Sequence, residues 1–322
     1  VMYALFGLPL GKLADTWVRS KLISAGLVVW SSMTALSGTA ASFGQLTAYR
    51  CGVGIGEASA SPAALSMLSD YFSKRVRATV FAVYSSGAYV GMGLGVLFGG
   101  WFLGYWAERF PDPSLAPFGL SGWRAAFIAV GLPGIVLALW VATLIEPPRG
   151  RVDNIRSRTH TAPFRSTFRV VCTIIPPLPM VALLLRRQYK ALTENALAAA
   201  ATLCVVVLLY LLSGDYLQWC VLGIGTYGLY SWAQDLSQTD KPTFGLMFRS
   251  SAFLWCVFGF CSINFFAYGL GVWLPSFFIR VHQLSPGDVG KIVGLSVAIG
   301  GGIGINLGGW LADKRRARSE SG

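Results

Sequence analysis

Two ionisable residues, Arg50 and Glu57, lie inside an otherwise apolar stretch of the sequence, residues 46–71. A stretch of this length is long enough to cross a bilayer as a helix. An ionisable side chain in the middle of a membrane costs about 2.5–3.5 kcal/mol on insertion scales, so it normally faces a cavity or a partner. The seven-residue spacing places both on one helix face, about 10 Å apart along the axis. We therefore expect each to meet a different group in a cavity; the alternative is a structural charge buried between helices.

A second set of ionisable residues marks the ends of two apolar runs and repeats within the chain. Gly11-Lys-Leu-Ala-Asp15 recurs 298 residues later as Gly309-Trp-Leu-Ala-Asp313. A carboxylate in such a position can accept hydrogen bonds at the N-terminus of a neighbouring helix and stabilise its dipole; the alternative is an ordinary solvated turn. Two related halves in one membrane protein are typical of a transporter. A basic residue follows each copy: Arg19 and Arg316.

The elements that must position these residues are membrane-spanning helices. Of the 322 residues, 54% are hydrophobic and 12% charged, about half the charged fraction of a soluble domain. The apolar runs do not alternate, and backbone groups in lipid must be satisfied within their own segment, so helices are expected rather than strands. Nine candidate spans result: 1–13, 22–43, 46–71, 78–105, 123–145, 195–213, 216–234, 250–278 and 289–311.

Residues 168–185 are apolar but contain Pro176, Pro177 and Pro179. Prolines this close together break a helical hydrogen-bond ladder. The segment is therefore predicted to be a surface or re-entrant piece rather than a span.

The net charge of +12 follows the order of the spans. Most of the 26 lysines and arginines fall in the linkers after the first, third, fifth, seventh and ninth spans. The positive-inside rule places those linkers in the cytoplasm, so we expect a multi-pass protein of the inner (plasma) membrane with cytoplasmic basic loops. Topology explains the charge, and no nucleic-acid partner is expected. The basic linker 146–191 has a second interpretation, contact with anionic lipid headgroups.

Residues typical of enzymes and metalloproteins are sparse. The six cysteines lie mostly within apolar runs and lack a metal-binding spacing, and the two histidines form no cluster. The glycine-rich run at 52–56 lies inside a span rather than after a strand, which argues against a dinucleotide site, and the sequence holds no P-loop. We expect no enzyme activity, catalytic residue, metal or cofactor.

Several of these motifs resemble the Major Facilitator Superfamily. The residues around Gly11 and Asp15 are similar to its signature loop between helices two and three, although Val18 stands where a second glycine is usual and Ser20 where a basic residue is common. The run Arg50–Ala58 resembles the fourth helix, and its Gly-Glu-Ala ending looks like the spinster-like branch. Further similar segments are the loop with Gly309, Leu311, Ala312 and Asp313, and the start of helix six at Gly122–Phe127.

The resemblance implies an all-α, polytopic membrane protein, a major facilitator type bundle with twelve core helices. This chain would hold helices two to eight and would be truncated at both ends. Four regions are predicted: 1–145, the N-terminal half without its first helix; 146–191, a basic cytoplasmic linker; 192–235, an inserted transmembrane hairpin; and 236–322, the start of the C-terminal half with helices seven and eight and the following loop.

The resemblance also implies roles for residues in the fourth and seventh helices, which line the central cavity of the family. Glu57 becomes a proton-titrating or substrate-facing group, and Arg50 a group that holds an anion or modulates the pKa of Glu57. Asn264 and Tyr268, four residues apart in span 250–278, become candidate substrate contacts. The alternative for this pair is an interhelical hydrogen bond.

The two repeated loops would form a gate that latches the halves of the bundle on the cytoplasmic side and breaks during inward opening. Its residues are Gly11, Asp15, Arg19, Gly309, Asp313 and Arg316. Glycines recur every fourth residue in two spans, which lets helix backbones approach closely. Because the family packs helix five against helix eight, we expect these two ladders to touch: Gly87, Gly91, Gly95 and Gly99 in one, Gly300, Gly304 and Gly308 in the other.

The predicted function is secondary active transport of a small organic or lipid-like solute by alternating access, coupled to protons. Spinster-like relatives are associated with lipids, lysophospholipids and sphingoid phosphates, and Arg50 would suit an anionic head. The alternatives are an exporter of organic anions or drug-like compounds, a gradient-independent lipid scramblase and a non-transporting membrane receptor. The expected partners are the lipid bilayer, a small-molecule or lysolipid substrate, and a proton.

Overall fold

The computed structural model describes residues 1–153 and 162–320, and its regular elements in these ranges are all helical. This confirms the predicted all-α class. The helices are α1 (Met2–Thr16), α2 (Arg19–Ser37), α3 (Phe43–Glu57), α4 (Ala60–Tyr71), α5 (Arg77–Arg109), α6 (Gly122–Ala142), α7 (Pro163–Ile174), α8 (Leu178–Leu185), α9 (Tyr189–Ser213), α10 (Tyr216–Thr239), α11 (Lys241–Arg249), α12 (Ser251–Val281), α13 (Pro286–Ser296) and α14 (Gly302–Glu320). A π-helical turn, Val297–Gly301, joins α13 to α14.

Helix α2 lies at the centre of the first predicted half, where it packs against α3 and α6. Small residues set its distance from both helices. A methyl group added to Gly26 would lie 2.7 Å from the Gly56 carbonyl oxygen, and one added to Gly131 would lie 2.5 Å from the Ala35 nitrogen. These backbones are therefore about as close as glycine permits. The buried core at one end of α2 is formed by Leu13, Ala14, Leu22 and Ala63.

The predicted span 46–71 is divided into two helices immediately after Glu57. Helix α3 ends at this residue, and α4 begins at Ala60. The Ser59 hydroxyl donates to the Gly56 carbonyl at 2.8 Å, and Pro62 has no N–H to donate to the carbonyl four residues earlier. Both features disturb the hydrogen-bond ladder locally. Glu57 consequently lies beside a locally tightened turn, through which Ala58 and Ser59 keep right-handed helical backbone angles.

Five helical segments of the described ranges are long and apolar enough to cross a membrane: Lys74–Arg109, Gly122–Ala142, Tyr189–Ser213, Ser251–Val281 and Pro286–Arg318. The bent pair of α7 and α8 would add a sixth if it is one span. Helices α1, α3 and α4 are too short to cross a membrane as single helices, whereas α2 and α10 have more polar side chains. The Ser24 hydroxyl on α2 donates to the Ala138 carbonyl of α6 at 2.8 Å, so the neighbouring helix satisfies this polar group.

The contact between the predicted halves is formed by α5 against α13 and α14, and glycines line it. A methyl group added to Gly93 would lie 2.3 Å from the Gly294 carbonyl oxygen, and one added to Gly100 would lie 2.6 Å from the Pro286 carbonyl oxygen. The two helices therefore meet backbone to backbone. The predicted pairing of these helices is present in the structure.

The glycines at this contact are not the predicted ones. An added methyl group would meet no atom within 4 Å at any of the predicted ladder positions, so the prediction that the ladders touch is wrong: Gly87, Gly91, Gly95, Gly99, Gly300, Gly304 and Gly308. The physical reason is that successive residues turn by about 100° around a helix. Gly91 and Gly93 thus point to nearly opposite sides of α5. Spacing identified a row of small residues but not the row that faces the partner.

We expect Gly93→Ala to lower stability and Gly91→Ala to preserve it. The new methyl group at position 93 would overlap the Gly294 carbonyl, and relieving the overlap costs about 1–3 kcal/mol. At position 91 the methyl group meets open space, so the change is neutral or stabilises by up to about 1 kcal/mol through helix propensity. Thermal unfolding of both variants in detergent measures the difference. Equal melting temperatures would contradict the observed register of α5 and α13.

Helices α7 to α10, which we term the insert, lie between the predicted halves in sequence and pack against α1. Helices α7 and α8 lie within the predicted linker 146–191, and the 109° bend between them falls at the predicted proline break. Helices α9 and α10 form a hairpin joined at Gly214, whose φ of 77° favours glycine. A methyl group added to Gly228 on α10 would lie 2.7 Å from the Ile174 carbonyl oxygen and 2.9 Å from the Leu5 side chain. The insert is therefore in close contact with the first half.

Candidate functional site

Helix α3 presents Arg50 and Glu57 away from α2, the helix with which it makes its largest contact. Its contact with α2 runs through Gly52 and Gly56; a methyl group on Gly52 would lie 2.7 Å from Met33 Cγ. Arg50 precedes Gly52 by about half a helical turn and therefore points to the other side. The side chains of Arg50 and Glu57 are both exposed.

Neither Arg50 nor Glu57 has an ion-pair or hydrogen-bond partner among residues 1–153 and 162–320. They do not pair with each other, as their spacing predicted. An ionisable group without a partner is unfavourable against lipid hydrocarbon. This face of α3 therefore requires water, a ligand or another polar group beside it.

Two hydroxyl groups that lie next to this face were not predicted from the sequence. The Tyr3 hydroxyl on α1 lies 3.4 Å from the Ser61 hydroxyl on α4. Ser61 follows Glu57 by four residues, and Gly54 of α3 lies against the backbone of α1 at Tyr3. The four-residue spacing from Glu57 was the signal that could have identified Ser61. These groups add neutral donors and acceptors beside the ionisable pair.

Asn264 and Tyr268 line one pocket along α12, and this pocket does not include Arg50 or Glu57 of α3. Both lie on α12, which packs mainly against α11 and α13. The Asn264 amide donates to the Phe260 carbonyl of its own helix at 2.8 Å, and the Tyr268 side chain is 66% exposed. Their assignment as substrate contacts stays a prediction.

Arg19 is fully buried where α1 ends and α2 begins, at what we term the basic end of the bundle. Its guanidinium donates to Asp70 at 2.5 Å and Glu146 at 2.6 Å, and also to the Ser66 hydroxyl and the Pro147 carbonyl. These contacts join α2 to α4 and to the segment after α6. All these partners belong to the first half or its boundary, which corrects the prediction that Arg19 latches one half to the other.

Further charges surround Arg19 at the basic end. Arg149 donates to the Trp17 carbonyl, and burial lowers the pKa of its guanidinium, as does the nearby charge of Arg19. Asp15 is exposed and lies within electrostatic reach of Arg149. The hydrogen bond from Arg77 lowers the pKa of Asp153, which that arginine contacts at 3.2 Å. Asp153 therefore remains ionised at neutral pH and holds the start of α5 beside this cluster.

Asp313 joins the two predicted halves at the same end. Its carboxylate accepts hydrogen bonds from two backbone N–H groups at the start of α5, at 3.2 and 2.7 Å, and from the Thr79 hydroxyl at 2.6 Å. These N–H groups have no partner within the helix, and the negative charge complements the helix dipole. Gly309, about one turn earlier, permits the close approach to α5. Arg316 adds a long hydrogen bond of 3.5 Å to the Lys74 carbonyl.

The two copies of the repeated motif therefore make different contacts. A methyl group on Gly11 would lie 3.9 Å from Pro62, an ordinary contact within the first half, whereas Gly309 and Asp313 bind across the halves. Sequence reasoning missed Asp70 and Glu146 because an acidic residue at a span end resembles a solvated terminus. The available signal was an acidic side chain at an otherwise basic end.

Part of the chain is similar to transporters of other organisms. It is 28% identical over 162 residues to protein spinster of Drosophila melanogaster, and this match covers 49% of this chain and 24% of that protein. It is 30% identical over 161 residues to a sphingosine-1-phosphate transporter of Danio rerio, with 47% and 28% covered. A probable L-galactonate transporter of Escherichia coli (strain K12) is 29% identical over 138 residues, with 42% and 27% covered. The chain thus spans about a quarter of the length of these relatives.

A similar solved structure is that of a bacterial homologue of the human lysosomal transporter spinster in an inward-facing, occupied conformation. It is 22% identical in sequence, with a TM-score of 0.44, and the match covers 97% of this chain and 85% of that one. The family model described as Major Facilitator Superfamily matches residues 1–320. With its apolar helices, the chain is an integral, multi-pass membrane protein, and it belongs to the Major Facilitator Superfamily.

Proposed function

We propose that this chain is part of a secondary transporter that moves an anionic organic or lipid-like solute by alternating access. The observation that carries the proposal is the exposed face of α3, where Arg50 and Glu57 have no partner in the described ranges. Such a face is costly against lipid but suits the wall of a polar translocation cavity. The hydroxyl groups of Tyr3 and Ser61 extend the same wall.

The proposed solute carries an anionic group that Arg50 binds. One relative is named as a transporter of sphingosine-1-phosphate, a lipid, and another as a probable transporter of L-galactonate, a small sugar acid. A phosphate and a carboxylate both accept hydrogen bonds from an arginine fork. The shared anionic group, rather than the size of the solute, is what the α3 face favours.

Glu57 is the proposed proton-coupling group. It lies at the junction of α3 and α4, and its side chain is exposed. Opening the cavity to one side and then the other would expose this carboxylate to each aqueous phase in turn, so that it could take up a proton on one side and release it on the other as the solute moves.

The proposed gate is the contact of Asp313 with the start of α5. It crosses the halves, so relative movement of the halves must break its three hydrogen bonds. The Arg19 cluster braces the first half, which then moves as a unit. On the positive-inside rule we propose that this basic end faces the cytoplasm, and the plasma (inner) membrane is the proposed location.

The test uses the complete transporter that contains this chain, reconstituted in liposomes. Uptake of a labelled lysophospholipid and of a small sugar-acid carboxylate is followed with and without a pH gradient. We expect saturable, gradient-driven uptake of one of them. Lysolipid movement that is indifferent to the gradient would identify a scramblase instead, and binding without flux would identify a receptor.

A further inference from the structure

The insert contains a helix pair that enters the membrane region from the basic end and turns back. The rings of Trp17 and Phe164 lie 5.2 Å apart at the basic end, whereas Ile174, at the other end of α7, lies next to Gly228 and close to Leu5. Helix α7 therefore runs antiparallel to α1. Leu5 and Trp17 are separated by about 18 Å along α1, which is more than half of a hydrocarbon core of about 30 Å.

Helix α8 leads the chain back toward the basic end. After the 109° bend it ends at Leu185, and Arg186 contacts Asp235 near the end of α10 at 3.3 Å. Arg169, in the middle of α7, approaches the same carboxylate at 3.9 Å. Both arms of the bent pair are therefore attached to one end of α10, which makes the pair re-entrant rather than spanning.

A buried polar network fixes the two helices behind this re-entrant pair. The Asn195 amide on α9 donates to the Ser231 hydroxyl at 3.2 Å and to the Gln234 side-chain oxygen at 2.9 Å, and its own oxygen accepts from the Tyr227 hydroxyl at 2.6 Å. Asn195 is fully buried. A satisfied network of this kind holds α9 and α10 in one register.

A cavity of about 300 Å³ lies between the proline bend, α9 and α10. Most of its wall is apolar: Pro177, Met180, Ala199, Leu203, Val206 and Ile224. Two polar residues in the wall are already hydrogen-bonded: the Tyr227 hydroxyl donates to Asn195 and the Thr202 hydroxyl to the Ala198 carbonyl. The cavity therefore offers little to a polar ligand and suits a hydrocarbon chain.

Cationic side chains lie at the basic end of this cavity. Arg187 and Lys190 follow α8, are exposed and have no carboxylate partner in the part of the chain that the structure describes. The eight residues of α8 separate them from the proline bend by about 12 Å. Positive charge at the membrane surface above an apolar cavity matches the two parts of an anionic phospholipid.

We propose that the insert binds one anionic phospholipid from the leaflet at the basic end. One acyl chain occupies the cavity between α8, α9 and α10, and the headgroup phosphate contacts Arg187 and Lys190. This site lies on the insert, away from the Arg50–Glu57 face, so the proposal does not depend on the transported solute.

Native mass spectrometry of the complete transporter in detergent with mixed phosphatidylglycerol and phosphatidylcholine tests the site. We expect the wild type to retain one phosphatidylglycerol. Its preference over phosphatidylcholine should be about fivefold for each basic residue that contacts the headgroup. Ala199→Phe fills the cavity and should remove that lipid. Ala200→Phe is the matched control, because Ala200 is exposed and does not line the cavity. Arg187→Gln with Lys190→Gln should leave one lipid bound but abolish the preference.

A second measurement keeps the proposal testable should Ala199→Phe not fold. Wild-type protein is labelled with phosphatidylglycerol that carries a photoreactive group in its acyl chain, and the labelled peptides should fall within 176–180, 199–206 or 220–227. Labelling elsewhere only, equal retention of the two lipids by the wild type, or lipid loss in Ala200→Phe equal to that in Ala199→Phe would overturn the proposal.

Discussion

Arg19→Ala is expected to lower the free energy of unfolding by about 3–5 kcal/mol, the cost of breaking a buried ion pair by removing one partner. Asp70 and Glu146, with side chains 10% and 26% exposed, would each lose a cation that lies within 2.6 Å. Glu146 can regain water more easily, so Asp70 accounts for most of the loss. Denaturant or thermal unfolding of the complete transporter in detergent measures the effect.

Lys21→Ala is the matched control, because Lys21 lies two residues further along α2 with an exposed side chain. Arg19→Lys is expected to give an intermediate loss, since an ammonium group keeps the charge but cannot reproduce the planar fork of donors. Equal stability of the Arg19→Ala and Lys21→Ala variants would refute the bracing role of Arg19.

Glu57→Gln is expected to reduce gradient-driven accumulation of the solute to the level of protein-free liposomes. Glutamine preserves the size of the side chain and its capacity for hydrogen bonds but cannot gain or lose a proton in this range. Exchange of labelled for unlabelled solute without a gradient should survive, because that reaction needs binding and alternating access but no net proton movement. Parallel uptake and exchange assays separate the two.

The control for Glu57→Gln is Glu108→Gln, which removes an exposed carboxylate near the end of α5. It should leave both assays unchanged. Loss of exchange as well as uptake in Glu57→Gln would indicate a binding or structural role instead, and full gradient-driven uptake in that variant would remove Glu57 from the proposed coupling.

The sequence by itself determined the helical, multi-pass character of this protein and the place of its repeated motifs. Runs of apolar residues must form helices in lipid because each backbone group has to find its partner within a few residues. The requirement is local, so a local pattern suffices to predict it. The prolines at 176–179 likewise predicted the bend between α7 and α8, because a proline interrupts the helical hydrogen bonds at the position where it occurs.

Only the tertiary structure decided which helix faces meet. In the structure Gly93 meets Gly294, whereas the more regular ladder through Gly91 has no neighbour within 4 Å. The acidic partners of Arg19 lie 51 and 127 residues away in the chain. The structure also keeps Asn264 on a helix apart from α3. The physical reason is that a rotation of about 100° per residue gives every helix several plausible faces. The choice among them depends on the shape and charge of neighbours distant in sequence, which spacing within one helix does not encode.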